Sequence, residues 1–121
     1  MADNKTMTEG AVAAVSIPVT ARQAFKIMDE MLSDEDIQAA LSHTKEEFAS
    51  FEHFGLGLWI RNNWIYGKEN EGECFKQRRE VCMLMLMGKK DVELFFINPD
   101  MVSYDFLRRY YDHLKRKAKK A

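Results

Sequence analysis

No stretch of this chain approaches the ~18 to 20 consecutive apolar residues that a membrane-spanning helix needs. The one apolar run near the N-terminus, Ala11 to Val19, is interrupted by Ser16 and Pro18 and follows Asp3, Lys5 and Glu9 instead of a basic leader. Neither a bilayer span nor a secretory signal is expected, and the cytoplasm is the expected location. Cysteine is scarce: Cys74 and Cys82 are the two present. On a helix they would lie about 12 Å apart by rise alone, beyond disulfide reach, so both are expected as reduced thiols. Also missing are an HExxH pair, paired CxxC motifs, a glycine-rich phosphate loop and a GxSxG elbow. Their absence removes the commonest metal, nucleotide and hydrolase readings. His43, His53 and His113 are too scattered to make a ligand set of known spacing. No enzyme, metal or cofactor is expected.

What is present is an ordinary globular balance. The 121 residues are 46% hydrophobic and 31% charged, which excludes wholesale disorder and suits one domain with a single core. The net charge of −1 conceals a division along the chain. Residues 1 to 53 carry ten acids against four bases, and residues 54 to 121 carry nine acids against fourteen bases. The halves either neutralise each other in the fold or leave a charge dipole able to steer a partner.

Residues 1 to 16 lack periodicity and read as an N-terminal arm, with Val15, Ile17 and Val19 able to lie extended on the core. Thr20 with Gln23 then forms a capping box, and Ala24, Phe25, Met28, Met31 and Leu32 recur at helical spacing, predicting a helix over about 21 to 32. Ser33 with Asp36 repeats the signal ahead of Ile37, Ala40 and Leu41, for a helix over about 34 to 42. Thr44 with Glu47 opens a third segment running through Phe48 and Phe51 to Tyr66. Within it, FGLGLWIRNNW at 54 to 64 is apolar around most of a helical circumference, the pattern of a buried central helix. Gly55 and Gly57 there signal close backbone approach or a break near His53. After a polar turn at 68 to 73, Phe75, Arg79, Cys82 and Leu86 keep helical spacing. The run Val81 to Met87 also suits a strand paired with Val92 to Ile97, the alternative of an α+β fold with a β-hairpin at 81 to 97. Asn98 and Pro99 start the last helix, about 99 to 117, whose stripe is Met101, Tyr104, Leu107, Tyr111 and Leu114. The expected architecture is all-α: a compact domain of four to five helices over 17 to 117, followed by a basic tail at 118 to 121.

His53 to Trp64 and the segment NPDMVS at 98 to 103 resemble an uncharacterised bacterial domain family with an HFGLGxWIRNxW segment and a later HPDDMS-like segment entering its final helix. Asn98 stands where that family often has histidine, Asp100 is the one acid after the proline, and the stretch between Trp64 and Pro99 is longer. The resemblance covers about residues 25 to 115 and implies a small helical domain of bacteria or their phages, with no established activity to carry over.

Arg61, Asn62 and Asn63 stand out on an otherwise apolar segment, because a polar group near a core must be hydrogen-bonded or open to a cleft. One reading has Arg61 pairing with Asp100 to tie down the 98 to 103 turn, with an asparagine capping exposed carbonyls. The other is a binding cleft flanked by Trp59 and Trp64, since tryptophan and arginine dominate binding hot spots. Met83, Met85 and Met87 fit either a core or an adaptable surface. Arg108, Arg109, Lys115, Arg116 and Lys117 form a candidate basic patch for nucleic acid, or cations complementing a helix C-terminus. The favoured expectation is a small non-enzymatic protein-binding module, an immunity, inhibitor or anti-defence factor of bacterial or phage origin. Nucleic-acid binding through the last helix is the alternative, and small-ligand binding at Trp59, Arg61 and Asn62 a further one.

Overall fold

The computed structural model describes residues 17 to 66, 72 to 89 and 98 to 120, with 72 to 78 as backbone. Among the described residues six α-helices follow one another: α1 Ala21–Met31, α2 Asp34–Leu41, α3 Lys45–Phe51, α4 Leu56–Ile60, α5 Gly72–Met87 and α6 Pro99–Lys120. A π turn, Arg61–Ile65, extends α4. There is no strand among the described residues, so the fold is all-α, with slightly more helices than four to five.

The starts of the first three helices follow from short-range chemistry. Thr20, Ser33 and Thr44 each accept a hydrogen bond from the third helical residue's N–H, and the side-chain oxygens of Gln23, Asp36 and Glu47 accept one from the cap residue's own N–H. These boxes satisfy donors that a helix start otherwise leaves open. Asn98 opens α6 in the same manner, its Oδ1 accepting from Met101 N at 2.8 Å.

The segment expected to run from Thr44 to Tyr66 is divided. α3 stops at Phe51, a turn occupies 52 to 55, and α4 restarts at Leu56, which places the break beside His53. Glu52 makes the restart: its carboxylate accepts from Leu56 N at 3.1 Å and its carbonyl from Gly57 N at 2.7 Å. Further along, the buried positions Leu56, Ile60 and Trp64, with Gly57, Arg61 and Ile65, recur every four residues. An α-helix of 3.6 residues per turn would rotate such a row by about 40° per repeat. The wider π turn takes up that drift, closing with Tyr66 N on the Arg61 carbonyl at 2.8 Å, five residues back.

Residues 81 to 87 are helical as part of α5, which overturns the hairpin alternative over those residues; Val92 to Ile97 lie outside the described residues. Packing decides in favour of the helix: Arg79, Cys82 and Leu86 fall on one buried face, turned to α6 and the π turn. Met83, Met85 and Met87 are half-buried against the core. Cys82 is a free, buried thiol, and burial pushes its pKa up to about 12.

α6 is the axis of the domain. Val102, Ser103, Phe106, Leu107, Tyr110, Tyr111 and Leu114 are buried along it, a broader arc than the single stripe the spacing indicated, and it packs against α2, α3, α4, α5 and the π turn. The double-tryptophan segment shares the centre with α6. The last helix continues to Lys120, so 118 to 120 extend it. Ile17 packs on the core and Val19 is exposed, while Val15 and the arm before it lie outside the described residues.

Candidate functional site

Arg61 is 4% exposed, and a guanidinium so placed must find partners for its donors. Nη1 donates to Ser103 Oγ at 2.9 Å, Nη2 donates to the His53 carbonyl at 2.8 Å, and Nε lies 3.4 Å from Asp100 Oδ1. The side chain thereby joins the turn after α3 to the first turns of α6. Ser103 passes the contact on, its hydroxyl donating to the Asp100 carbonyl at 3.1 Å. Gly57 is what leaves room. A Cβ there would stand 2.9 Å from the Glu52 carbonyl oxygen and 3.1 Å from Arg61 Nη1, closer than such contacts normally come.

The other residues singled out from the sequence are dispersed. Trp64 is fully buried, edge-on to Trp59 at 5.4 Å and to Phe106 at 5.7 Å between centroids, and flanks no open cleft. Its indole N–H has no acceptor among the described residues. Asn63 donates from Nδ2 to the Trp59 carbonyl at 2.9 Å, capping one of its own helix's acceptors. Asn62 is exposed. Arg61 and Asn62 therefore do not join Trp59 in a common cavity.

Trp59 instead faces a different feature. A groove of about 530 Å³ lies between α1, α2, α3 and α4, and Met31, Leu32, Ala40, Phe48, Phe51 and Trp59 give it apolar walls. Phe51 is 63% exposed and Met31 is 40% exposed, with the His43 ring edge-on to Phe51 at 5.0 Å. Asp36 and Glu52 supply its carboxylates. Sequence reasoning found one wall residue, Trp59, and missed the rest. Met31 reads as part of a core stripe, and although Gly55 and Gly57 signal a break near His53, nothing local to Phe51 says that its ring is left in solvent.

The basic patch is also divided by the fold. Arg109 Nη1 donates to the carbonyls of Met85 at 2.8 Å and Leu86 at 2.7 Å, closing the end of α5. Arg108 pairs with Glu46 at 3.3 Å and Lys117 with Asp29 at 3.1 Å. Lys115 sits 5.8 Å from the Tyr111 ring centroid, and Arg116 is exposed.

A polar cluster that the sequence did not announce ties α1 to α6. Asp29 accepts from the Tyr110 hydroxyl at 2.8 Å and lies 3.0 Å from His113 Nε2, in addition to Lys117. The Phe25 ring stacks on His113 at 4.7 Å and on Phe106 at 5.6 Å. Burial works against the Asp29 charge, yet the bonds from His113, Tyr110 and Lys117 outweigh it and hold the carboxyl below its ordinary pKa. The Tyr110 phenol is pushed well up, by burial and then by Asp29. Among the described residues no three His, Cys, Asp or Glu side chains converge as a metal site, and no helix is long and apolar enough to cross a membrane.

Fold and site define a small all-α domain, built on one long C-terminal helix, clamped internally by a buried arginine and open on one face as an apolar groove. The chain belongs to the family described as Domain of unknown function (DUF6794), whose model matches residues 17–81. The groove walls, from Met31 to Trp59, lie wholly within the matched residues, whereas Asp100 and Ser103 lie beyond them. No curated protein and no solved structure matches the chain.

Proposed function

We propose that this domain is a non-enzymatic protein-binding module that captures its partner in the groove between α1 and α4. An immunity, inhibitor or anti-defence role in bacteria or phages is the biological setting that fits a small masking protein of this kind. The observation that carries the reading is Phe51, a phenylalanine 63% exposed on the wall of a preformed apolar groove. Apolar surface of this kind, rimmed by polar groups, is what protein contact sites present, and a neighbouring Trp59 adds a residue type enriched among binding anchors.

The test is capture from extracts of the source cell with the wild-type chain and with Phe51→Ser, followed by titration of the purified captured protein. Phe51 makes few core contacts, so the variant is expected to keep its melting temperature while losing the partner by tenfold or more, about 1.4 kcal/mol. A partner that binds both chains equally, or no saturable partner at all, overturns the reading.

Nucleic-acid binding keeps a narrower basis. Residues 115 to 120 are all exposed and include Lys115, Arg116, Lys119 and Lys120, but Arg108, Arg109 and Lys117 are engaged within the domain. Binding through this end should weaken steeply with salt and be lost on removal of residues 115 to 121; affinity indifferent to salt would sink it.

A further inference from the structure

The groove's chemistry narrows what it accepts. From Asp29 to His53, the segment that supplies most of its walls, the chain carries eight acids: Asp29, Glu30, Asp34, Glu35, Asp36, Glu46, Glu47 and Glu52. The one opposing lysine, Lys45, is paired with Asp112 on α6 at 3.2 Å. Asp29 and Glu46 have partners on α6 in Lys117 and Arg108. Asp34 and Glu35 remain exposed at the start of α2, and Asp36 and Glu47 are exposed while their carboxylates also accept from the Ser33 and Thr44 N–H groups; Glu30 lies with Lys26 at a separate groove. Arg22 and Lys26 are the bases on α1, in its first turn and at its centre, and neither lines the groove.

Most of the walls are helices, whose backbone groups are already paired within themselves, with Leu32, His43, Glu52 and Gly55 in the connections between them, and no strand edge exists among the described residues. An extended segment laid in the groove would bury N–H and C=O groups without partners, at a cost of several kcal/mol in sum. A helix carries its backbone bonds internally and presents an apolar stripe at i, i+3, i+4 and i+7.

Resting on the protein-binding reading, we infer that the groove receives a cationic amphipathic helix of another protein, with its apolar stripe against Met31, Phe51 and Trp59 and its basic flanks toward Glu52 and the acids of α2 and α3. The basic end of α6 from a second copy is a poor occupant, because Lys115 to Lys120 holds no large apolar side chain. The first sixteen residues are poor occupants by charge, with Asp3 and Glu9 against Lys5.

Three synthetic helices test this. Each carries the same leucine stripe, with lysine, glutamine or glutamate at every polar position, and each is titrated into the full chain while tryptophan fluorescence is followed. The lysine helix should bind about tenfold tighter than the glutamine helix at low salt and lose that margin as salt rises, and the glutamate helix should not bind. Phe51→Ser should abolish binding of the lysine helix, and Asp34→Asn with Glu35→Gln should reduce its margin. Equal binding of the lysine and glutamine helices, both lost in Phe51→Ser, overturns the charge inference and leaves the groove as a protein site. Lysine-helix binding indifferent to Phe51→Ser shows adhesion to acidic surface alone and overturns the inference, as does binding of none. A captured partner that depends on Phe51 but offers no basic helix retires this inference without touching the protein-binding reading.

Discussion

Arg61 carries a permanent charge into a place where water cannot follow, and its three contacts differ in worth. The Ser103 hydroxyl and the His53 carbonyl meet the terminal nitrogens inside the fold, whereas the Asp100 carboxylate is 67% exposed and its attraction is screened by solvent. Arg61→Ala leaves the carbonyl and hydroxyl without donors and opens a void, so it should lower unfolding free energy by about 3 kcal/mol. Arg61→Lys should restore little of this, because an ammonium cannot span two acceptors in a planar fork. Asp100→Asn should cost under about 1 kcal/mol. Urea titrations of the three variants check the order, and a loss in Asp100→Asn as large as in Arg61→Ala would contradict it.

The end of α5 illustrates what an element needs from its neighbours. Gly88, at φ 75°, takes the left-handed conformation. Lys89 N donates to the Leu84 carbonyl and Gly88 N to that of Met85, the bond pattern of a glycine-terminated helix. Arg109 from α6 completes it on the Met85 and Leu86 carbonyls and packs at 3.2 to 3.3 Å from where a Gly88 Cβ would stand. Removing the guanidinium by Arg109→Ala should cost about 2 kcal/mol, the scale of charged hydrogen bonds, and should raise amide exchange at the C-terminal end of α5 more than in α1 or α2. Uniform exchange changes would place the effect elsewhere. Gly88→Ala is expected to match or exceed that loss, since it adds backbone strain to the displacement of Arg109.

At the scale of the whole molecule, the α1 to α6 tie through Asp29 predicts an acid limit. Its carboxyl is held below the ordinary value of 3.8 in the folded chain, so its contribution is present above that value and is lost as pH falls through the folded pKa. Glu47, also lowered, by the Thr44 backbone bond ahead of its other causes, acts in the same window. Melting temperature should therefore fall on acidification below about pH 4. Asp29→Asn should flatten part of that slope while lowering stability at neutral pH, because the buried Tyr110 hydroxyl loses an ionised acceptor. An unchanged acid slope in the variant would show that the tie contributes nothing.

Features confined to three or four consecutive residues were legible in the sequence. The capping boxes at Thr20, Ser33 and Thr44, the Asn98–Pro99 start and the apolar stripes of α1 and α6 are local, because a helix joins each residue to those three and four away. Arg61 was legible as a polar residue in need of partners, and Asp100 as one of them. Whether 81 to 87 would coil or extend was not, since both periodicities fit and the face it buries against α6 decides. The Asp29 cluster joins residues more than eighty positions apart, and the groove is assembled from α1 to α4 with Phe51 at the end of α3 left exposed on its wall. Helix identity lay in the sequence; which faces stay open to solvent was decided by tertiary packing, because exposure belongs to a surface assembled from distant segments.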